Sequence, residues 1–264
     1  MESVRYIKQD ERLDIKNIDA LVVGNPEYNI DKSYESDIPE LCNSQVECEV
    51  IAKMLGIKPY TGKMASQNIL WKNYQKEIIH ISTHGDLLLD MVAEASIKTQ
   101  VFSYSWLMLA GYEDWKEDRK NKDYGNGIVT ADDFLFMDLS KTSLVVLSTC
   151  VSNLGIVRGL ETMHGMRWAI GTAGAKSSVT TLWKVSDSAT AILMILFYRN
   201  LGEMSVGESL YEAKKTLRKI TVGELKKDVL FWEIVKENIT DIEENAYKPF
   251  KHWKYWAGYV FYCG

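Results

Sequence analysis

The sequence predicts an α/β fold, a mostly parallel sheet covered by helices on both faces, and three observations carry that prediction. Short runs rich in Val, Ile and Leu alternate with segments of helical spacing. Those runs are continuously apolar, as strands buried on both faces are. No Pro-, Gly- or Ser-rich linker divides the 264 residues, a length sufficient for one large core. Residues 1–264 are therefore expected to form a single domain, with 1–18 as its lead-in.

The elements follow in order. DALVVGNP (19–26) is a buried strand that stops at a Gly-Asn-Pro turn, and SQVECEVIAKMLG (44–56) has helical spacing with Gly56 as its stop. KPYTG (58–62) reads as a short strand, ASQNILWKNYQ (65–75) as a second helix and EIIHIST (77–83) as the next strand. FSYSWLML is strand-like, and the charged, Gly-punctuated EDWKEDRKNKDYGNG after it reads as a solvated loop. TADDFLFM (130–137) opens with a Thr and acidic residues suited to a helix N-terminus. SLVVLST (143–149) is the most continuous apolar strand, GLETMHGMRWAIGTAG reads as helical, and KSSVTTLW (176–183) is another strand. SDSATAILMILFYRNL (186–201) and VGESLYEAKKTLRKI (206–220) are helices, a polar stretch covers roughly 224–247, and WAGYVFY is a final strand.

Composition narrows the function classes. A net charge of −5 argues against a general nucleic-acid binder, which needs clustered Lys and Arg for phosphates. The N-terminus is too polar for a signal peptide and no apolar run approaches spanning length, so a cytoplasmic location is expected. Cys42, Cys48, Cys150 and Cys263 are scattered without a CxxC pair, which suits a reducing compartment and predicts no metal site. There is no phosphate-binding Gly loop, and no cofactor is expected.

In such sheets reactive groups gather at the carboxyl ends of the strands. Two strands end in a reactive side chain: EIIHIST runs into His84-Gly85, and SLVVLST runs into Cys150. As neighbours about 4.8 Å apart, they would bring an imidazole and a thiol to one rim, where His84 could serve Cys150 as general base. Gly85, lacking a Cβ, lets its backbone approach a substrate carbonyl, and its N–H with that of Cys150 would form an oxyanion hole. No third, acidic member stands at a readable spacing, so a dyad is expected. Taken singly, each is more often a structural residue, since a Cys after a buried strand most often fills a core and a His before Gly is often a satisfied loop residue. It is their meeting at one sheet edge that brings the catalytic reading level. His80, four residues before His84 in the same strand, shares its face and is expected to be buried and hydrogen-bonded. His164 reads as structural, His252 as packing in the aromatic C-terminal block, and the remaining cysteines as core or surface thiols.

IIHISTHG, then GNGIVTADDFLFMDL, LVVLSTCVSNLG, GMRWAIGTAGAKSSVTTLWKVSDSATAILMILFYRNL and HWKYWAGYVFYCG follow in the motif order of the CHAT family of caspase-like proteins, which the chain resembles over about residues 20–264. ALVVGNPEYN, LCNSQVECEVIAKMLG and YTGKMASQNIL resemble the start of that domain. The resemblance implies a caspase-like, six-stranded, mostly parallel sheet and a cysteine endopeptidase whose dyad is His84 and Cys150, with Gly85 and Cys150 as oxyanion donors. It implies an extended substrate along Thr180, Thr181, Leu182 and Trp183, gaining main-chain hydrogen bonds. Trp183 then walls a pocket, or is a rim aromatic beside the Asp187 helix start, where Asp187 reads as an N-cap.

The pocket for the residue before the scissile bond (P1) is implied to be floored by Asn25, with Glu27 nearby, and by Ser148. Caspases hold aspartate there with a basic residue, and metacaspases hold Arg or Lys with an Asp two before the Cys. Ser148 is neutral and no Arg lies in 19–30, so a neutral or hydrophobic P1 is expected, while Glu27, Asp86, Asp132 and Asp133 leave a basic one open. Only about 25 residues separate Cys150 from KSSVTTLW, which predicts an unprocessed chain. Fewer than 20 residues precede the first strand, too few for a TPR unit, so the expected partners are a protein substrate and a separate sensor, TPR-type or a nucleic-acid-sensing complex, unless this is a piece of a longer chain. The resemblance makes a role in bacterial antiviral defence an expectation, with no direct nucleic-acid or membrane contact. Two other readings stay open: a catalytically silent caspase-fold scaffold, and a small-molecule acyl-transfer enzyme using Cys150.

Overall fold

The computed structural model describes residues 12–32, 36, 38–87, 105–117, 123–149, 157–158, 161–162, 165–239 and 244–263. Its strands are β1 (Ala20–Pro26), β2 (Tyr60–Gly62), β3 (Ile78–Thr83), β4 (Gly85–Leu87), β5 (Ser105–Met108), β6 (Ile128–Thr130), β7 (Leu144–Thr149), β8 (Val157–Arg158), β9 (Glu161–Thr162), β10 (Ser177–Thr181) and β11 (Tyr259–Cys263). Six form the main sheet in the order β2-β1-β3-β7-β10-β11, parallel throughout except that β11 runs antiparallel to β10. This is the mostly parallel, six-stranded α/β sheet that the resemblance implied. β4, β5 and β6 make a small antiparallel sheet beyond the end of β3.

The helices are α1 (Cys42–Met54), α2 (Gln67–Asn73), α3 (Tyr112–Lys116), α4 (Ala131–Leu135), α5 (Met166–Thr172), α6 (Asp187–Asn200), α7 (Val206–Lys219), α8 (Val222–Lys227) and α9 (Val229–Ile239). Because side chains alternate along a strand, the continuous apolar runs feed two cores. Val22, Ile78, Val146 and Val179 pack on one face under α1, α6 and α7. Leu21, Val23, Ile79, Ile81, Val145 and Leu147 pack on the other, under α2, α4 and α5. Gly24 lets α1 lie close on the sheet: a Cβ there would stand 2.3 Å from Cys48 Sγ and 2.8 Å from Ser82 O. No helix among the described residues is long and apolar enough to cross a membrane.

Three segments differ from the sequence expectation. The stretch expected as a solvated loop after FSYSWLML begins with α3, whose Glu113 and Asp114 are buried. Asp114 earns its burial by accepting from Ile30 N at 2.8 Å and Asp31 N at 3.4 Å. The polar 224–247 stretch opens instead with α8 and α9. Thr221 and Glu224 close a capping box at the start of α8, and α9 buries Phe231, Ile234 and Val235 along one stripe. The helix expected over 159–174 is confined to α5, and β8 pairs with β9 before it.

Candidate active site

The strand order reverses on either side of β1, and ligands in such sheets bind beyond the carboxyl ends at that point. Asn25 leaves β1 and His84 leaves β3 at this edge. Asn25 takes a left-handed conformation (φ 44°), which Asn tolerates better than most residues. Its N–H donates to Ser44 Oγ at 2.9 Å and its side-chain amide to Gln45 Oε1 at 3.1 Å, tying the end of β1 to the start of α1.

His84 is held at four points. Its N–H donates to Tyr28 Oη (3.3 Å), its carbonyl accepts from Met108 N (2.9 Å), and its ring lies 5.7 Å from that of Tyr28. The fourth point orients the ring: Nε2 is 2.8 Å from the carbonyl oxygen of Pro39. A carbonyl only accepts, so Nε2 carries the hydrogen, and in the neutral ring Nδ1 keeps its lone pair. That assignment is the chemical content of the site, an imidazole oriented by a main-chain acceptor with one nitrogen open to take a proton.

Thr83 and Thr149 are register partners on β3 and β7, as are Ser82 and Ser148. His84 and Cys150 are the residues that follow the Thr pair in the sequence; Cys150 lies outside the described residues, and so does His164. Gly85 is half-buried at the start of β4 and pairs with Leu107. Beneath His84, Thr83 Oγ1 bonds Tyr28 Oη at 3.1 Å and donates to Met108 O, so the last residue of β3 and the one that follows it share one polar scaffold.

On the α1 side of the sheet, Asp187 of α6 accepts from Asn43 N at 3.1 Å and Asn43 Nδ2 at 2.9 Å. Sequence reading placed Asp187 as the cap of its own helix. Ser186 holds that position, and the Asp187 carboxylate instead caps the N-terminus of α1, whose own N-cap, Leu41, has no side-chain acceptor. Burial pushes the Asp187 carboxyl up, the Asn43 donors pull it partly back, and the Glu47 charge adds to the rise. Long-range capping and main-chain acceptors such as Pro39 O leave no spacing signal, which is why sequence reading found neither.

The expected substrate-binding residues separate. Asn25 lines a cleft of about 390 Å³ with Glu27, Tyr28, Lys32, Glu40 and Cys42. Glu27 is bridged to Lys32 at 3.1 Å. Ser148 is not among the described lining residues; it is buried, 3.5 Å from Tyr259 Oη, which donates to Thr190 Oγ1. Thr181 is buried, pairs with Tyr259 and donates its hydroxyl to Thr149 O. Leu182 N donates to Gly258 O at 2.8 Å. Trp183 is half-buried, its Nε1 donating to Lys254 O at 3.2 Å and its ring meeting Trp253 edge-on at 5.3 Å.

His80 is fully buried between Glu47 Oε1 (3.0 Å from Nε2) and Tyr198 Oη (3.3 Å from Nδ1), as its place on the strand predicted. Burial raises the Cys48 thiol well above its ordinary value, with Glu47 adding to the effect, so it is a core group unsuited to nucleophilic work. His252, expected in packing, is exposed and accepts from Lys254 N through Nδ1.

No curated protein matches the chain. The model of the CHAT domain matches residues 1–263, essentially its whole length. The chain therefore belongs to the CHAT-domain family, caspase-like cysteine peptidases.

Proposed function

We propose that the chain is a cysteine endopeptidase in which His84 acts as general base and acid to Cys150. The observation that carries the reading is the Nε2–H···O=C bond to Pro39, which leaves Nδ1 open on a histidine that follows a strand register-paired with the one leading to Cys150. In the proposed reaction Nδ1 takes the thiol proton and the thiolate adds to the scissile carbonyl. The oxyanion is held by the N–H groups of Gly85 and Cys150. Collapse expels the amine with the proton from His84, and water then hydrolyses the thioester. The cleft at Asn25 is the proposed P1 pocket, and Ser148 and Thr181, buried at the ends of β7 and β10, are proposed to support the sheet edge from within. Main-chain groups around Thr181 and Leu182 are engaged by β11 and Gly258, so the proposed substrate path runs along Trp183 and outward.

The substrate is a specific protein, and the proposed regulator is a separate sensor in bacterial defence, a reading supported by family membership. The test is to incubate the full chain, with and without the products of neighbouring genes, against a proteome and map new N-termini by mass spectrometry. New termini that vanish in Cys150→Ala and His84→Ala are expected. Cleavage that persists in Cys150→Ala would sink the mechanism.

A further inference from the structure

A cleft of about 640 Å³ opens between the end of α7 and the segment before β11. Four cations line it, Arg218, Lys248, Lys251 and Lys254, and none of its described lining residues is acidic. All four are exposed. They stand among aromatic faces: the Arg218 guanidinium is 5.6 Å from the Trp256 ring centre and Lys254 Nζ 4.8 Å from that of Tyr255. Trp253 is 55% exposed, which an aromatic in the interior of a fold is not. In a chain of net charge −5 this is a local reversal of sign, next to a surface offering apolar contact.

The cleft is also joined to the proposed substrate path. Trp183 bonds the carbonyl of Lys254 and packs on Trp253, and a Cβ on Gly258 would come within 2.9 Å of the Trp183 ring. β10 lies two strands from β3, so its end stands about 10 Å from the column of His84. Three residues of extended peptide cover that distance.

Resting on the peptidase reading above, we infer that this cleft binds an acidic segment of the protein substrate, three or more residues from the scissile bond, with carboxylates on the lysines and an apolar side chain against Trp253. Continuity with Trp183 favours a peptide over a nucleic acid. So does the net negative charge, which repels a long polyanion beyond the four local cations.

Binding and cleavage are tested apart. Anisotropy of a fluorescein-labelled peptide of alternating glutamate and leucine is measured with the Cys150→Ala chain, against its glutamine counterpart and single-stranded oligo-dT. The acidic peptide is expected to bind about tenfold more tightly than the neutral one. The preference should weaken with salt and disappear in Lys251→Glu/Lys254→Glu, whose exposed positions leave the thermal transition in place. Equal binding of both peptides, a preference unchanged in the double variant, or tighter binding of oligo-dT overturns the inference. In the cleavage map, acidic residues should be enriched three or more positions from the cut and lose that enrichment in the double variant. Cleavage without such enrichment overturns the inference and leaves the peptidase standing; acidic-peptide binding without cleavage under any activating condition retains the cleft and sinks the peptidase.

Discussion

His80 lies inside β3 and His84 just beyond its end, four residues on, and the two meet opposite environments. His80 is sealed between Glu47 and Tyr198, so removing its ring leaves a carboxylate buried without its partner. His80→Ala is expected to lower stability by about 1–3 kcal/mol, the usual cost of leaving a buried polar group without its hydrogen-bond partner, measured by denaturant unfolding. His84→Ala removes a half-buried ring and should shift the midpoint far less. Tyr28 tests the scaffold beneath the proposed base: Tyr28→Phe deletes the acceptor for His84 N–H and the partner of Thr83. At about 1 kcal/mol for each of these two bonds, Tm should fall by roughly 4–8 °C, and kcat/KM measured well below the transition should fall roughly fivefold from the lost His84 bond. The histidine pattern was legible because His80 stands inside a continuously apolar run while His84 follows its end, a difference of position that needs no tertiary knowledge. Pro39 was not, since its contribution is a carbonyl that every residue possesses.

At the scale of elements, the six strands of the main sheet were read to within about three residues at each end, because continuous Val/Ile/Leu runs admit few alternatives, whereas the short β4, β6, β8 and β9 were not read as strands. Helices were legible where an apolar stripe was long, as in α6 and α7, and illegible where charge dominated. α8 was hidden because VGELKK is six residues with only two large apolar ones, and α3 because it is five residues long and its buried Asp114 is satisfied by the distant Ile30 and Asp31 N–H groups. α9 was passed over although VLFWEIVKENI carries a readable apolar stripe. Capping chemistry also gives a measurable pH effect. The Ser205 hydroxyl, and then its N–H, hold the Glu208 carboxyl below the ordinary Glu range at the start of α7. A carboxyl depressed in the folded state contributes stability above its unfolded pKa, and loses that contribution as pH falls through the lowered value. Ser205→Ala should therefore cost about 1 kcal/mol near neutrality, or roughly 2–4 °C in Tm. The gap between the two proteins should narrow in acid, as followed by thermal melts across pH.

For the whole molecule, the two cores share one sheet: Val22 and Val23 are adjacent on β1 and feed opposite faces. Neither layer keeps a closed core if the other melts. Far-UV circular dichroism and tryptophan fluorescence are therefore expected to report one coincident transition; separated midpoints would show two independently stable units. The architecture was legible at this scale from alternation of strand and helix. The exterior cleft at Lys248–Trp256 was not, because KPFKHWKYW reads as packing until β11 is seen to deliver it to the rim.

Asp187 and Asn43 are 144 residues apart in sequence, and their bond anchors the start of α1, just after the segment whose Pro39 O meets His84. The segment that orients the imidazole thus adjoins a contact made between the first and last thirds of the chain. During synthesis, a nascent chain that has not yet reached residue 187 carries the histidine but lacks the far anchor of the helix that follows its orienting segment. Set on the ribosome's clock, the site's geometry is completed late, after most of the polypeptide has emerged.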